Sequence, residues 1–99
     1  MADYRASDVE NIEMRIGETS TLESLRQTVV PPYVLILPFI ELPAGVELVR
    51  QDNLNEEGVH GCVFTLHAVT AGEGTLRVGF RDLRTQDVIK QKYIHVKVD

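Results

Sequence analysis

Apolar and polar residues alternate with period two in four stretches of the chain: Ile12, Met14 and Ile16; Cys62, Phe64, Leu66 and Ala68; Leu76, Val78 and Phe80; and Ile94, Val96 and Val98. Successive side chains of a β-strand point to opposite faces, so each run predicts a strand with one buried face. Clusters of turn-forming residues separate the runs: Gly17-Glu18-Thr19, Pro43-Ala44-Gly45, Asn53-Leu54-Asn55-Glu56-Glu57-Gly58, Ala71-Gly72-Glu73-Gly74 and Arg84-Thr85-Gln86-Asp87. Short strands at this spacing, with no long helical pattern between them, predict an all-β fold, an antiparallel sandwich or barrel of roughly six to eight strands. Cys62, Phe64, Leu66, Leu76, Val78, Phe80, Ile94 and Val96 are expected to share one core. His67 and His95, each next to an inward residue, are expected to face outward. Ser7-Asp8-Val9-Glu10 has capping-box spacing ahead of Val9, Ile12 and Ile16, but the same apolar residues fit a strand and Gly17 ends the run. Residues 1–8 are expected to be loose.

One stretch breaks the alternation. Residues 29–43, VVPPYVLILPFIELP, hold all of the chain's prolines and a single charge, Glu41. The run is shorter than the ~20 residues a membrane helix needs, and Pro31, Pro32, Pro38 and Glu41 interrupt it, so no membrane span is predicted. Its second half reads as a strand over residues 33–39, in which Pro38 fits only an edge, a bulge or a strand end. Its first half carries two consecutive prolines whose φ angles are set in advance, the composition of a stiff loop.

Length and composition narrow the class. A chain of 99 residues implies one domain, 1–99, long enough for one core. A hydrophobic content of 43% with 25% charged residues is that of a globular chain, and a formal net charge of −5 works against phosphate backbones, so nucleic acid is not an expected partner. Cys62 is the only cysteine, which excludes a disulfide framework and reads as a small buried hydrophobe. Residues 1–15 lack a charged n-region leading into an apolar run, so the expectation is a cytoplasmic protein, or a mature form of a periplasmic or secreted one.

No catalytic constellation emerges. His60, His67 and His95 lack the spacing of a helical zinc motif, no GxSxG is present, and the carboxylates are scattered through turns. Gly72-Glu73-Gly74 puts a carboxylate where a phosphate loop needs bare amides, and reads as a hairpin turn. Lys90, Lys92 and Lys97 along the last strand read as protection of a sheet edge. The expectation is a non-enzyme without cofactor or metal.

From residue 16 to residue 98 the order of features resembles the chagasin family of cysteine-protease inhibitors, small immunoglobulin-like β-sandwiches. The scaffold likeness rests on the Gly17-Glu18-Thr19 turn, a strand ending in Leu25, an Ala71-Gly72 turn leading to a strand ended by Phe80, a polar loop, and the closing strand Tyr93-Ile94-His95-Val96-Lys97-Val98. Three loops at one end of the sandwich form the inhibitory surface in that family. The first, N-P-T-T-G followed by an aromatic, counts onto Thr28-Val29-Val30-Pro31-Pro32 with Tyr33 as the aromatic, every other residue being changed. The second, a Gly-rich turn, is matched in part by Gly58-Val59-His60-Gly61, and the third, R-P-W, counts onto Asp82-Leu83-Arg84 in a chain without Trp.

The resemblance implies an immunoglobulin-like antiparallel β-sandwich that binds a protein partner, in the strict version a papain-like cysteine protease, and acts as a monomer. Val29, Val30 and Leu83 would form the apolar centre of the surface, with Asp82, Arg84 and His60 as its polar rim. The alternative is an immunoglobulin-like interaction or structural domain that has kept the scaffold without inhibitory action and binds an unrelated protein.

Overall fold

A computed structural model describes residues 2–28, 36–56 and 59–99, with Asn55 and Glu56 described by their backbone alone. Nine strands run in chain order: β1 (Asp3–Arg5), β2 (Asn11–Met14), β3 (Thr19–Glu23), β4 (Gln27–Thr28), β5 (Ile36–Glu41), β6 (Val46–Glu56), β7 (Val59–Ala68), β8 (Gly72–Asp82) and β9 (Val88–Val98). They form two sheets. In the first, β1, β3, β7 and β6 lie side by side, and β4 prolongs the β3 edge of β7; in the second the order is β2-β9-β8-β5. This is the strand arrangement of an immunoglobulin-like sandwich.

The core is where the alternation placed it. Cys62, Phe64, Leu66, Leu76, Val78, Ile94 and Val96 are at most 1% exposed and form one cluster with Ile12, Met14, Leu22 and Ala68, and Phe80 is fully buried as well. Fully burying a side chain of this size stabilises by roughly 1.5–3 kcal/mol, which is why one-faced strands pair off into two layers. Phe64 stands directly opposite Leu22 across the β3–β7 ladder, and Leu76 opposite Ile94 across β8–β9.

Four expectations are corrected. The sheets are mixed rather than purely antiparallel, because β1 runs parallel to β3 and β2 parallel to β9. The start of the chain is held: Asp3–Arg5 pairs with Thr21–Glu23, the Ala6 amide donates to the Glu23 carbonyl at 2.8 Å, and Ala6 is fully buried. As the strand reading of Ile12 and Met14 expects, the capping-box stretch forms only a turn, with the Asp8 and Val9 amides bonded to the Arg5 carbonyl, after which the chain crosses to the other sheet as β2. That split raises the strand number above eight. Ile16 is 56% exposed, because β2 ends at Met14 and the chain turns at Gly17, whose φ is +87°.

Two turns also move. Asn53 to Glu56 extend β6 by pairing with residues 59–62 of β7, since a long partner strand satisfies their backbone groups better than a loop would. Gly72 to Gly74 open β8, where a side chain at Gly74 would collide with Pro43, its Cβ falling 2.5 Å from that ring. The expected strand around Pro38 is β5, Ile36–Glu41; among the described residues it pairs only with β8, so Pro38 sits on an edge strand where its missing N–H is harmless.

Candidate partner-binding end

The registers at one end of the sandwich bring together the strand ends from which three connections depart. Thr28, the last residue of β4, lies opposite Val59, the first residue of β7, and Val59 in turn lies opposite Glu56, the last of β6. In the other sheet Ile36, the first residue of β5, lies opposite Asp82, the last of β8, while Val88 of β9 pairs with Arg81. Segment 29–35 joins Thr28 in one sheet to Ile36 in the other, so both its anchor points flank the strand ends that carry 57–58 and 83–87. Val29, Val30, Pro31, Pro32 and Gly58 lie outside the described residues.

A local device steers the chain into β4. At Ser24 the β3 ladder breaks: the Ser24 amide donates to the Cys62 carbonyl at 2.8 Å, and its hydroxyl accepts from the Cys62 amide at 3.0 Å. The side-chain oxygen thus replaces a backbone acceptor. The jog fits against Gly61, where an added Cβ would already lie 3.4 Å from Ser24 Oγ. Beyond it, Arg26 donates to Glu23 at 2.9 Å. Burial pushes the Cys62 thiol up to about 11, against the opposing hydrogen bond from Ser24.

The second expected loop is shorter than the sequence implies. Val59, His60 and Gly61 belong to β7; Val59 is paired with Thr28 and Glu56 and His60 with Gln27 and Asn55, one partner on each side, and Gly61 with Leu54 on the β6 side; Gly61 itself is buried. Val59 and His60 are half-buried. The backbone of these residues is therefore consumed by the sheet, and only side chains are left to reach a partner.

The third connection is a closed turn. The Asp82 carboxylate accepts from the Arg84 amide at 2.9 Å, from Arg84 Nε at 3.1 Å and from Arg84 Nη2 at 2.8 Å, and the Gln86 amide donates to the Asp82 carbonyl at 2.8 Å. These charge-assisted bonds hold the Asp82 carboxyl down at about 2. Asp82 is only 8% exposed, so it shapes the turn rather than forming an open rim, whereas Leu83 is 41% exposed and Arg84 is exposed.

Lys90 was not recognisable from its spacing. It lies opposite Phe80, on the inward register of β9, and its Nζ donates to the Arg26 carbonyl at 2.9 Å. Lys92, on the same register, pairs with Glu10 at 3.1 Å. The edge-protection reading is corrected at Lys97, which is paired with Glu13 of β2 on one side and Glu73 of β8 on the other, while Lys90 and Lys92 lie where β9 has no β2 partner. Of the outward histidines, His95 faces Glu73 at 3.6 Å and the His67 ring lies 3.2 Å from the Thr19 hydroxyl. Among the described residues no cluster of three or more His, Cys, Asp or Glu is placed to hold a metal ion.

No protein-family description and no curated protein matches the chain by sequence. Its fold, however, matches solved structures over nearly the whole length. The crystal structure of the cysteine protease inhibitor EhICP2 from Entamoeba histolytica superposes with a TM-score of 0.70 at 10% identity, covering 99% of this chain and 97% of the other. The solution structure of amebosin superposes with a TM-score of 0.64 at 11% identity, covering 99% of this chain and 95% of the other. The all-β sandwich of this chain is thus similar in fold to a cysteine protease inhibitor, in agreement with the chagasin-like resemblance of its sequence.

Proposed function

We propose that residues 1–99 act as one protein-binding module whose partner is a papain-like cysteine protease, met by the end of the sandwich that carries segment 29–35, the 57–58 turn and the 83–87 turn. The observation that supports this reading is the pair of registers Thr28 opposite Val59 and Ile36 opposite Asp82, which brings the two ends flanking the proline-containing segment 29–35 beside the strand ends of the two other connections. The fold likeness to a cysteine protease inhibitor supports the partner class. Thr28, Val29, Val30, Pro31 and Pro32 would form the central contact, with Gly58, Val59, His60 and Gly61 on one side and Asp82, Leu83 and Arg84 on the other. Two prolines reduce the entropy lost on docking, so a loop of this composition binds as a preformed wedge. The module binds as a monomer, and its role is occlusion rather than catalysis.

The test is the residual activity of papain and of a cathepsin with the pure protein in molar excess. Reversible loss of activity, abolished by the double substitution Val30→Asp and Leu83→Asp in a variant that keeps its melting temperature, is the expected result. Full protease activity in the presence of folded protein sinks the protease reading.

A second reading is favoured by the third connection. There Asp82 and Arg84 satisfy each other, and no aromatic takes the place of the family's Trp, which leaves Leu83 as the exposed apolar group of that turn. On this reading the same end binds an unrelated protein without inhibiting a protease.

A further inference from the structure

The outer face of the β2-β9-β8-β5 sheet carries a cation that no charged group among the described residues compensates. Phe39 on β5 stands opposite Gly79 on β8, and the two residues flanking that glycine on the same face are Arg77 and Arg81. Both guanidinium groups lie over the Phe39 ring, at 5.1 and 5.2 Å from its centre. Their situations differ. Arg77 is paired with Glu41 and donates to Gln91 Oε1 at 3.2 Å. Arg81 has no ion pair or hydrogen bond among the described residues, while the Nε atoms of both arginines are buried without a hydrogen-bond partner. A ring face attracts a cation but supplies no negative charge, so Arg81 keeps a full charge while its planar fork is held in one orientation by the stack.

Exposed aliphatic residues occur near this group along the chain and across the ladder. Leu37, directly opposite Arg81 on β5, is 43% exposed. Ile89, at the point where the β8–β9 register shifts between Phe80 and Arg81, is 44% exposed, and Leu83 lies two residues beyond Arg81. An immobilised arginine bordered by apolar groups that exclude water has the anatomy of an interaction hot spot. A half-buried guanidinium with no charged partner among the described residues selects for a negative group on whatever covers it.

We propose that Arg81 and its border of Leu37, Leu83 and Ile89 form a docking site for an acidic segment of a protein partner, an extended stretch with one carboxylate between apolar side chains. The carboxylate takes the two outward N–H groups of Arg81 in a bidentate pair, and the flanking side chains cover Leu37 and Ile89. The site lies on the sheet's outer face and shares Leu83 with the loop end, and it does not depend on the partner being a protease.

The probe is the capped pentapeptide acetyl-Leu-Val-Glu-Leu-Val-amide, titrated into the full chain while the Arg81 Nε–Hε signal and the amides of Leu37, Leu83 and Ile89 are followed by NMR. A saturable shift of these signals is expected, with affinity at least about tenfold weaker for the peptide carrying Gln in place of Glu, the ratio expected for one lost charge-assisted bond. The Arg81→Gln protein should show the same loss with the original peptide. If that variant fails to fold, the comparison of the two peptides on the native chain decides alone. Equal binding of both peptides overturns the proposal, and so does an equal saturable shift with inorganic phosphate at matched concentration. The same shifts produced by concentrating the protein without peptide would assign the face to a second copy and overturn it as well.

Discussion

The Lys90 ammonium and the Arg26 backbone carbonyl are joined at 2.9 Å, a hydrogen bond that ties the two sheets together at the end where segment 29–35 crosses between them. Lys90 belongs to β9 and Arg26 immediately precedes β4, so the bond fixes the separation of the strand ends that anchor the candidate binding surface. Replacing Lys90 by Met keeps the aliphatic stem and removes the donor. The expected cost is about 1 kcal/mol in chemical denaturation, together with faster hydrogen exchange at Thr28 and Val59. Unchanged exchange at both amides would mean that the bond does not hold the sheets.

Gly79 is expected to resist any side chain. An added Cβ would lie 2.0 Å from the Lys90 carbonyl oxygen and 2.9 Å from Gln91 Cα, both on the neighbouring strand, so the clash is with backbone that cannot swing away. Gly79→Ala should therefore destabilise by roughly 1–3 kcal/mol and weaken the β8–β9 ladder. A thermal melt of the variant coincident with that of the native chain contradicts this.

Phe64 is fully buried in the centre of β7, opposite Leu22. Phe64→Ala leaves a cavity between the sheets and should cost on the order of 3–5 kcal/mol, a large share of the stability of a domain this size. Urea denaturation with an unchanged m-value gives the measurement.

The Asp82 carboxyl is held at about 2 by Arg84, below its ordinary value of 3.8. A folded-state pKa below the unfolded one means that the native protein binds fewer protons, so the pair adds stability above pH 3.8 that is lost as pH falls toward about 2. Asp82→Asn should flatten that part of the acid unfolding curve and loosen the 83–87 turn. An identical acid limb in both proteins would rule the pair out as a contributor.

Burial holds the Cys62 thiol at about 11, so little thiolate exists at neutral pH and none is exposed. A thiol reagent should label the native protein far more slowly than a free peptide cysteine, and labelling should accelerate only with denaturant. Rapid labelling of the native chain contradicts the inward register of β7.

Period-two alternation over residues 62–68, 76–80 and 94–98 was sufficient to place these strands, their inward faces and the all-β sandwich, because which side of a strand is buried is written locally as every second residue. Pro38 likewise announced an edge, since a missing N–H is a property of the residue itself. What alternation does not encode is the partner of each strand. Asp3 to Arg5 look like a loose terminus until β3 offers a free edge with matching register, and Asn53 to Glu56 look like a turn until β7 runs long enough to pair with them. The candidate site divides the same way. The exposed Leu83 was legible, whereas the Asp82–Arg84 closure, the Lys90–Arg26 bond and the stack of Arg81 on Phe39 join residues whose meeting depends on turn geometry or on the registers between strands. Register is a long-range choice, settled by the packing of two sheets against each other, and only the tertiary structure makes it.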